Sequence, residues 1–415
     1  MTENPRKRIL AGDRLPPLLP VLLFLELVSL GATIPSLPYF TRALGGSAFH
    51  VTLCFFLTAA PKILFQPMWG AWSDRIGRRP VMILSQIGSL LSYLAWAIAP
   101  SLRWLLFSRA LYGLFGAQLT VAGSIVADRL PPEERARGMG ILGAISGLGF
   151  VIGPIAGGIV AARVGYSAIG WAGVAVEAAA IALAVALPET SPRRAARRRP
   201  SHAGSTFRRA LAHPAVGPLL LVVLVGTTGF SVVQGTLVVL AEDRWGYGVQ
   251  QMGKMLGLFF LIAAFIQGFG LRPLVPRFGE RNLARAGYLL IAIGLAVLVP
   301  EAPGAALWIS LLLLAGGAAL TTPAPTALLS RATHEEDQGR VQGLNQGMTG
   351  LGRSVSGATM GGLYDRFGMG TPFGVSALLV VIALALLLLP GGEREPLFRS
   401  AAAPPVPPVS PAPHP

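Results

Sequence analysis

Five charged side chains sit inside stretches of chain otherwise suited to hydrocarbon: Glu26, Lys62, Arg109, Glu177 and Arg353. An unpaired ion in such a place costs at least about 2.5 to 3.5 kcal/mol, so each must be paired, hydrated by a cavity, or used. Glu26 lies 12 residues beyond Arg14. That is roughly 18 Å along a helix at 1.5 Å per residue, which places the acid near the middle of a membrane. Burial favours the neutral form of a carboxyl group and a nearby cation favours the ionised one, so an acid whose surroundings alternate can bind and release a proton. Two readings of Glu26 follow: a proton carrier, or one half of a static salt bridge with Lys62. Lys62 and Gln66 are one helical turn apart on a shared face. Lys62 either neutralises Glu26 or attracts an anionic group of a substrate. Asn345, Thr349, Arg353 and Ser356 recur at i, i+4, i+8 and i+11, a polar stripe that suits the wall of a central cavity and not a lipid face. Tyr39, Tyr112, Gln118, Phe230, Gln234 and Gln267 are further candidates for that cavity, against the ordinary role of membrane aromatics as packing and interface anchors. Arg109 either snorkels to the nearer membrane surface or acts directly, and Glu177 either pairs with an arginine or acts directly.

The elements that must position these groups are membrane helices. The 415 residues are 53% hydrophobic and only 13% charged, against about 25% charged in soluble domains. Apolar segments long enough to span a core of roughly 30 Å recur along almost the whole chain. Twelve are expected, at 16–38, 50–70, 80–99, 104–127, 139–161, 168–187, 215–240, 250–271, 284–300, 305–328, 343–363 and 373–390. The apolar start after Arg6, Lys7, Arg8 and Arg14 is too long for a cleaved signal peptide and contains Glu26, so it reads as the first span. The net charge of +15 does not indicate nucleic acid. Most cations fall in alternate connections and both tails, without interleaved aromatics, which is the pattern of cytoplasmic loops and places both termini in the cytoplasm. One cysteine, Cys54, excludes an internal disulfide. The five histidines lie outside the helix centres without ligand spacing, so no metal and no cofactor is expected. No Ser/His/Asp set reaches the spans, which argues against an enzyme.

An internal repeat organises the twelve spans. One constant offset superposes Arg137, Gly140, Gly147, Leu148, Gly149, Gly158, Arg163 and Gly165 on Arg340, Gly343, Gly350, Leu351, Gly352, Gly361, Arg366 and Gly368. A second brings Arg75, Gly77 and Arg79 onto Arg277, Gly279 and Arg281, with Asp74 falling on Pro276. Two related, non-equivalent six-helix halves are expected over 15–188 and 214–390. They are flanked by an N-terminal tail (1–14), a basic linker (189–213) and a Pro-rich, disordered tail (391–415). Between the second and third spans, Gly70-Ala-Trp-Ser-Asp74-Arg75-Ile-Gly77-Arg78-Arg79-Pro80 is too polar for lipid and reads as a loop. In it Gly70 permits close helix contact, Asp74 accepts N–H groups at a helix start, and the arginines sit at anionic headgroups. In the fifth span Gly149, Gly153 and Gly157 at i, i+4 and i+8 form a groove for another backbone, followed by Gly158, while Pro154 frees a carbonyl.

These segments resemble, in order, the loop signature of the major facilitator superfamily (Gly70 to Pro80), its Arg-containing fourth-helix motif (Leu106 to Ala117, with Arg109 and Gly113) and the antiporter motif of its drug exporters (Gly149 to Gly158). The run Leu25-Glu26 to Pro38 resembles the first helix of tetracycline-type exporters. The resemblance implies a twelve-helix fold of two pseudo-symmetric bundles with a site near the midplane between them. It further implies alternating access, proton-coupled antiport of a small amphipathic compound, and a monomer in the bilayer of a bacterial-type inner membrane. Arg109 would join Glu26 in proton coupling, and Asp74, Arg78 and Asp128 would form a latch closing the halves when the cavity faces outward. The chain departs from the tetracycline pattern at Ser92, where those exporters carry an acid, and in the ninth span, which has none. Another amphipathic substrate is therefore expected, and Lys62 with Arg353 allows an anionic one. Transport of another solute, such as a sugar, amino acid or organic anion, is the nearest alternative, and a non-transporting sensor or scaffold a more distant one.

Overall fold

The computed structural model describes residues 15–190, 208, 210–300, 303–333 and 338–389. Both expected tails and most of the expected linker lie outside these residues. The chain forms twelve spans, α1 to α12, with no strand among the described residues. In the first half α1 is Leu18–Ala43, α2 is Ala48–Ile76 and α3 is Arg78–Ala97. The fourth span is broken into α4a (Leu102–Phe115) and α4b (Gln118–Arg129), and α5 (Pro132–Val164) and α6 (Tyr166–Ala186) complete the bundle. In the second half α7 is divided by a 3-10 turn (Ser231–Val233) into α7a (Gly217–Phe230) and α7b (Thr236–Trp245). The helix α8 (Val249–Phe265) runs through a π-helical turn, Ile266–Gly270, into Leu271–Ala296. That last helix turns back at Gly279, whose φ of 74° belongs to glycine, so residues 280–296 are α9. The tenth span comprises α10a (Ala305–Thr321) and α10b (Ala324–Arg331), and α11 (Gln338–Phe367) and α12 (Thr371–Leu388) close the fold.

Ten helices among the described residues are long and apolar enough to cross a membrane on length and composition alone. One of them, the 48-residue run Val249–Ala296, contains both α8 and α9. The remaining span, α11, is absent from that set because its polar stripe lowers its apolarity. Its stripe faces the interior, with Asn345 and Ser356 buried.

Several boundaries differ from the sequence reading, α5 beginning at Pro132 and α11 at Gln338 among them, and two of the differences bear on the site. The first span continues through Pro35 and Pro38 to Ala43, because α1 is held along its length by tertiary packing that outweighs the lost hydrogen bonds. The polar segment after Gly70 is not a loop: α2 remains helical to Ile76, and one residue, Gly77, makes the whole turn into α3. Gly77 has φ 111°, and a Cβ there would lie 2.4 Å from the Glu189 carboxylate. That carboxylate accepts hydrogen bonds from the backbone N–H groups of Arg78 (2.8 Å) and Arg79 (3.2 Å), capping the start of α3.

The halves meet along α2 with α11 and along α5 with α8, and both seams are built on glycine. A Cβ on Gly361 would lie 2.3 Å from Ala48 O, and one on Gly357 2.8 Å from Phe56 N. Gly158 and Gly253 face each other in the same way across α5 and α8. Among the described residues, the hydrogen bonds that cross between halves all lie at one end, opposite the Arg75–Arg79 turn. Arg42 pairs with Glu242 (3.4 Å) and Asp243, and Asp243 is held in turn by the Tyr364 hydroxyl of its own half, which donates to it (2.7 Å). Asp365 accepts from the N–H groups of Ala48 (3.2 Å) and Phe49 (2.9 Å), and the Tyr39 hydroxyl donates to Tyr247 O (2.5 Å). At the arginine-rich end a Cβ on Gly140, Gly143, Gly343 or Gly347 would meet nothing within 4 Å. The bundles are joined at one end and splayed at the other.

Candidate functional site

The break in the fourth span prepares the site. Helix α4a stops at Phe115 and α4b restarts at Gln118, leaving carbonyls without intrahelical partners. Neighbours satisfy them: Trp69 Nε1 donates to Leu114 O (2.8 Å), Ser85 Oγ to Phe115 O (2.5 Å) and Gln66 Nε2 to Gly116 O (3.4 Å). A Cβ on Gly116 would strike the Lys62 side chain at 2.3 Å, so the missing side chain lets Lys62 lie across the break. Its ammonium stands 4.6 Å from the centre of the Tyr112 ring.

Tyr112 then connects Lys62 to the acid. Its hydroxyl donates to Glu26 Oε1 at 2.7 Å, and both residues are buried. The Gln86 amide, with its nitrogen turned toward the acids, donates to Glu26 Oε2 at 3.0 Å and to Glu177 Oε2 at 2.7 Å. No ion pair joins Lys62 to Glu26 among the described residues. Their link runs through the tyrosine. Glu177, fully buried, accepts from Gln86, which bridges it to Glu26, and forms no ion pair with an arginine among the described residues. Sequence reasoning left its partner open and did not single out Gln86. The available signal was an amide and serines, Ser85, Gln86 and Ser89, in the middle of an apolar span.

Arg109 is 1% exposed and does not snorkel. Its guanidinium donates to Ser92 Oγ and Ser108 Oγ, each at 3.2 Å, and lies 4.6 Å from the Trp96 ring centre and 5.6 Å from that of Tyr112. Ser92, the position at which this chain departs from the tetracycline pattern, is thus a direct partner of this cation.

Lys62, Arg109 and Arg353 line one cavity of about 130 Å³ between the two halves, together with Thr58, Gln234 and Ser356. A second cavity, about 310 Å³, shares Gln234 and Arg353 and extends into the second half past Phe230, Asn345 and Thr349. Asn345 Nδ2 donates to Thr326 Oγ1 at 3.1 Å, and the Thr349 hydroxyl returns to Asn345 O at 2.9 Å. None of the three cations forms an ion pair among the described residues. Gln118 donates to Ser89 Oγ (2.7 Å) within the first half, Gln66 serves Gly116, and Tyr112 serves Glu26, so these three stand behind the cavity wall. Gln267, in the π-helical turn, is exposed. A larger cleft of about 910 Å³ between α2, α7a, α11 and α12 contains none of the expected cavity residues.

The glycines of α5 hold the acid's own helix. A Cβ on Gly149, Gly153 or Gly157 would lie 2.7 Å from Leu27 Cβ, 2.6 Å from Val28 O or 2.3 Å from Ala32 O. These contacts fall on the turns of α1 directly after Glu26. Pro154 completes the face, with its ring 3.1 Å from where a Cβ on Gly31 would stand.

At the arginine-rich end Arg78 binds Asp74 (2.7 Å), Asp128 (2.8 Å) and Ser73 Oγ (2.6 Å). This cluster ties α2, α3 and α4b together within the first half. Arg75 is exposed, and Gly70 has only Thr120 within reach of an added Cβ, at 3.9 Å.

The description "Major Facilitator Superfamily" belongs to the family model that matches residues 21–298 and 219–413. The chain is 32% identical over 385 residues to "Tetracycline resistance protein, class C" of Escherichia coli, covering 91% of this chain and 96% of that one. It is 26% identical over 378 residues to "Multidrug resistance protein 2" of Bacillus subtilis, covering 88% and 92%. Its fold matches the crystal structure of the human organic anion transporter MFSD10 (TETRAN) with a TM-score of 0.67 at 24% identity, covering 93% of this chain and all of that one. The protein is therefore a multi-pass membrane transporter, not an enzyme, and belongs to the drug-exporter family of the Major Facilitator Superfamily.

Proposed function

We propose that the protein exports a small amphipathic compound from the cytoplasm in exchange for protons, by alternating access, with both termini on the cytoplasmic side. The observation that carries this reading is a buried acid, Glu26, held by Tyr112 beside a cavity that both halves line. The arginine-rich end is then cytoplasmic by its basic connections, and the splayed bundles open there. Compound enters from the cytoplasm, the halves rock about the glycine seams, and protonation of Glu26 from the other side resets the cycle. The Arg78 cluster holds α2 rigid at this end, ready to meet the second half when the end closes. The tetracycline and multidrug resistance proteins among its relatives support a drug-like cargo.

The three cations around the cavity, none of them in an ion pair among the described residues, favour a second reading, in which the cargo is an organic anion. The sign of coupling separates the two. A lipophilic cation in the cavity repels a proton on Glu26, so the two compete and exchange. An anion beside Lys62 and Arg353 draws the proton in, so the two travel together. Two unit charges ~8 Å apart at an effective dielectric of ~20 interact by about 2 kcal/mol, enough to set the sign. The test places compounds of each charge class outside vesicles containing the purified protein and a pH dye. Lumen acid lost as a cationic or neutral compound enters supports exchange; acid gained with an anion supports the second reading. No pH change with any class rejects proton coupling altogether.

A further inference from the structure

Behind the cavity lies a second acid that the scheme above leaves unused. Glu177 is 0% exposed, and none of the described arginines or lysines forms an ion pair with it. Its Oε2 accepts from the Gln86 nitrogen at 2.7 Å, the same nitrogen that donates to Glu26 Oε2 at 3.0 Å, and its Oε1 has no hydrogen-bond partner among the described residues. Two buried carboxyl groups bridged by a single amide nitrogen repel each other when both are ionised, so the pair favours holding one proton. Two such groups titrate as one system, not as two independent acids.

The fold sets up this meeting deliberately close. A Cβ on Gly170 would lie 2.4 Å from Ala97 N, and one on Gly173 2.3 Å from the Tyr93 ring, so α6 presses directly against α3. Glu177 follows one turn after Gly173, which delivers it to Gln86 on the same helix face of α3. The titratable and charged groups around the pair are Lys62 from α2, Tyr93 from α3, and Tyr112 and Arg109 from α4a. Both cations face the cavity, and Tyr112 stands between Lys62 and Glu26.

We infer that Glu177 is the second half of the proton site: Glu26 and Glu177 hold one proton between them, the Gln86 nitrogen fixes the pair, and cargo in the cavity acts on it through Glu26. The inference rests on the proton-coupled reading above and extends it to a residue outside the cavity. Its test does not need transport.

Infrared titration of the purified protein follows the C=O band of the protonated carboxyl group in wild type, Glu177→Gln and Gln86→Leu. Glu177→Gln removes the like charge that favours the shared proton, so the midpoint moves to lower pH by about one unit, a tenfold change in proton affinity. Gln86→Leu keeps both acids but removes a donor to the ionised member, so the midpoint moves to higher pH. Glu177→Asp restores the carboxyl group and returns the midpoint toward wild type. A midpoint that stays in place in Glu177→Gln overturns the inference, since a merely structural Glu177 would leave Glu26 to titrate as before. Should Glu177→Gln not fold, Glu26→Gln decides in its place: a titrating C=O band that persists at a lower midpoint is expected from Glu177, and the loss of any titrating band overturns the inference. Vesicle assays keep the two proposals apart: a wild type without compound-driven proton movement removes the export reading, and a coupled wild type with unmoved midpoints removes this one.

Discussion

Lys62, Arg109 and Arg353 set how the cavity treats charge, and they are not equivalent. Arg109 is enclosed by Trp96, Tyr93 and Tyr112 and spends its hydrogen bonds on two serines, whereas Arg353 is exposed to both cavities. Removing the Arg353 charge should therefore alter cargo selection with little structural cost. We expect Arg353→Gln to tighten binding of a lipophilic cation such as tetraphenylphosphonium about tenfold, or ~1.4 kcal/mol, and to weaken a lipophilic anion by a similar factor. Equilibrium binding to the purified protein checks this, and equal affinities in variant and wild type would remove Arg353 from recognition. Lys62 acts differently, because its ammonium also faces the Tyr112 ring that holds Glu26. Lys62→Gln should shift the pH dependence of transport as well as cargo preference, while Arg353→Gln should change preference alone. Identical pH profiles in wild type and Lys62→Gln would contradict the tyrosine link.

The helices that carry these residues owe their closeness to missing side chains. On α5, Gly149, Gly153 and Gly157 clasp α1 just past Glu26, and Gly158 meets α8 across the interface between halves. Gly153→Val forces a branched side chain into space occupied by Val28 O and Gly31. It should cost about 1 to 3 kcal/mol. A lowered unfolding temperature in detergent is the expected result, and an unchanged one would show that the clasp tolerates expansion. That clasp was legible in the sequence as an i, i+4, i+8 repeat, and so was the stripe on α11, because helical periodicity maps residue spacing directly onto faces. The twelve spans were legible for the same reason. What spacing did not reveal is who meets whom across helices. Four spans lie between Glu26 and Glu177 in the chain, and only the small residues Gly170 and Gly173 hint that α6 comes near enough to α3 for Gln86 to bridge them. The helical extension of α2 to Ile76 was hidden by its polarity, which suggested a loop, although Asp74 at its end meets Arg78 across the one-residue turn at Gly77.

At the scale of the molecule, the two bundles are closed at one end by polar contacts and along the seams by glycine. The Arg42, Asp243 and Tyr364 contacts are partly exposed, so breaking them should shift the balance of states by only about 1 kcal/mol, a several-fold change in population. Asp243→Asn should therefore favour the state closed at the arginine-rich end. Because Cys54 is the chain's single cysteine, spin labels at Met68 and Gly343 on a Cys54→Ser background report that end directly. A larger fraction of short distances in Asp243→Asn is expected, and a distribution unchanged from the parent would show that these contacts do not govern the equilibrium. The rocking motion matters only if a proton drives it. The most direct test follows lumen pH and compound together in vesicles holding wild type or Glu26→Gln, with a proton gradient imposed. Compound movement should be accompanied by proton movement in wild type and lose it in Glu26→Gln. Proton movement that persists unchanged in the variant would contradict the assignment of Glu26 and the account of coupling built on it.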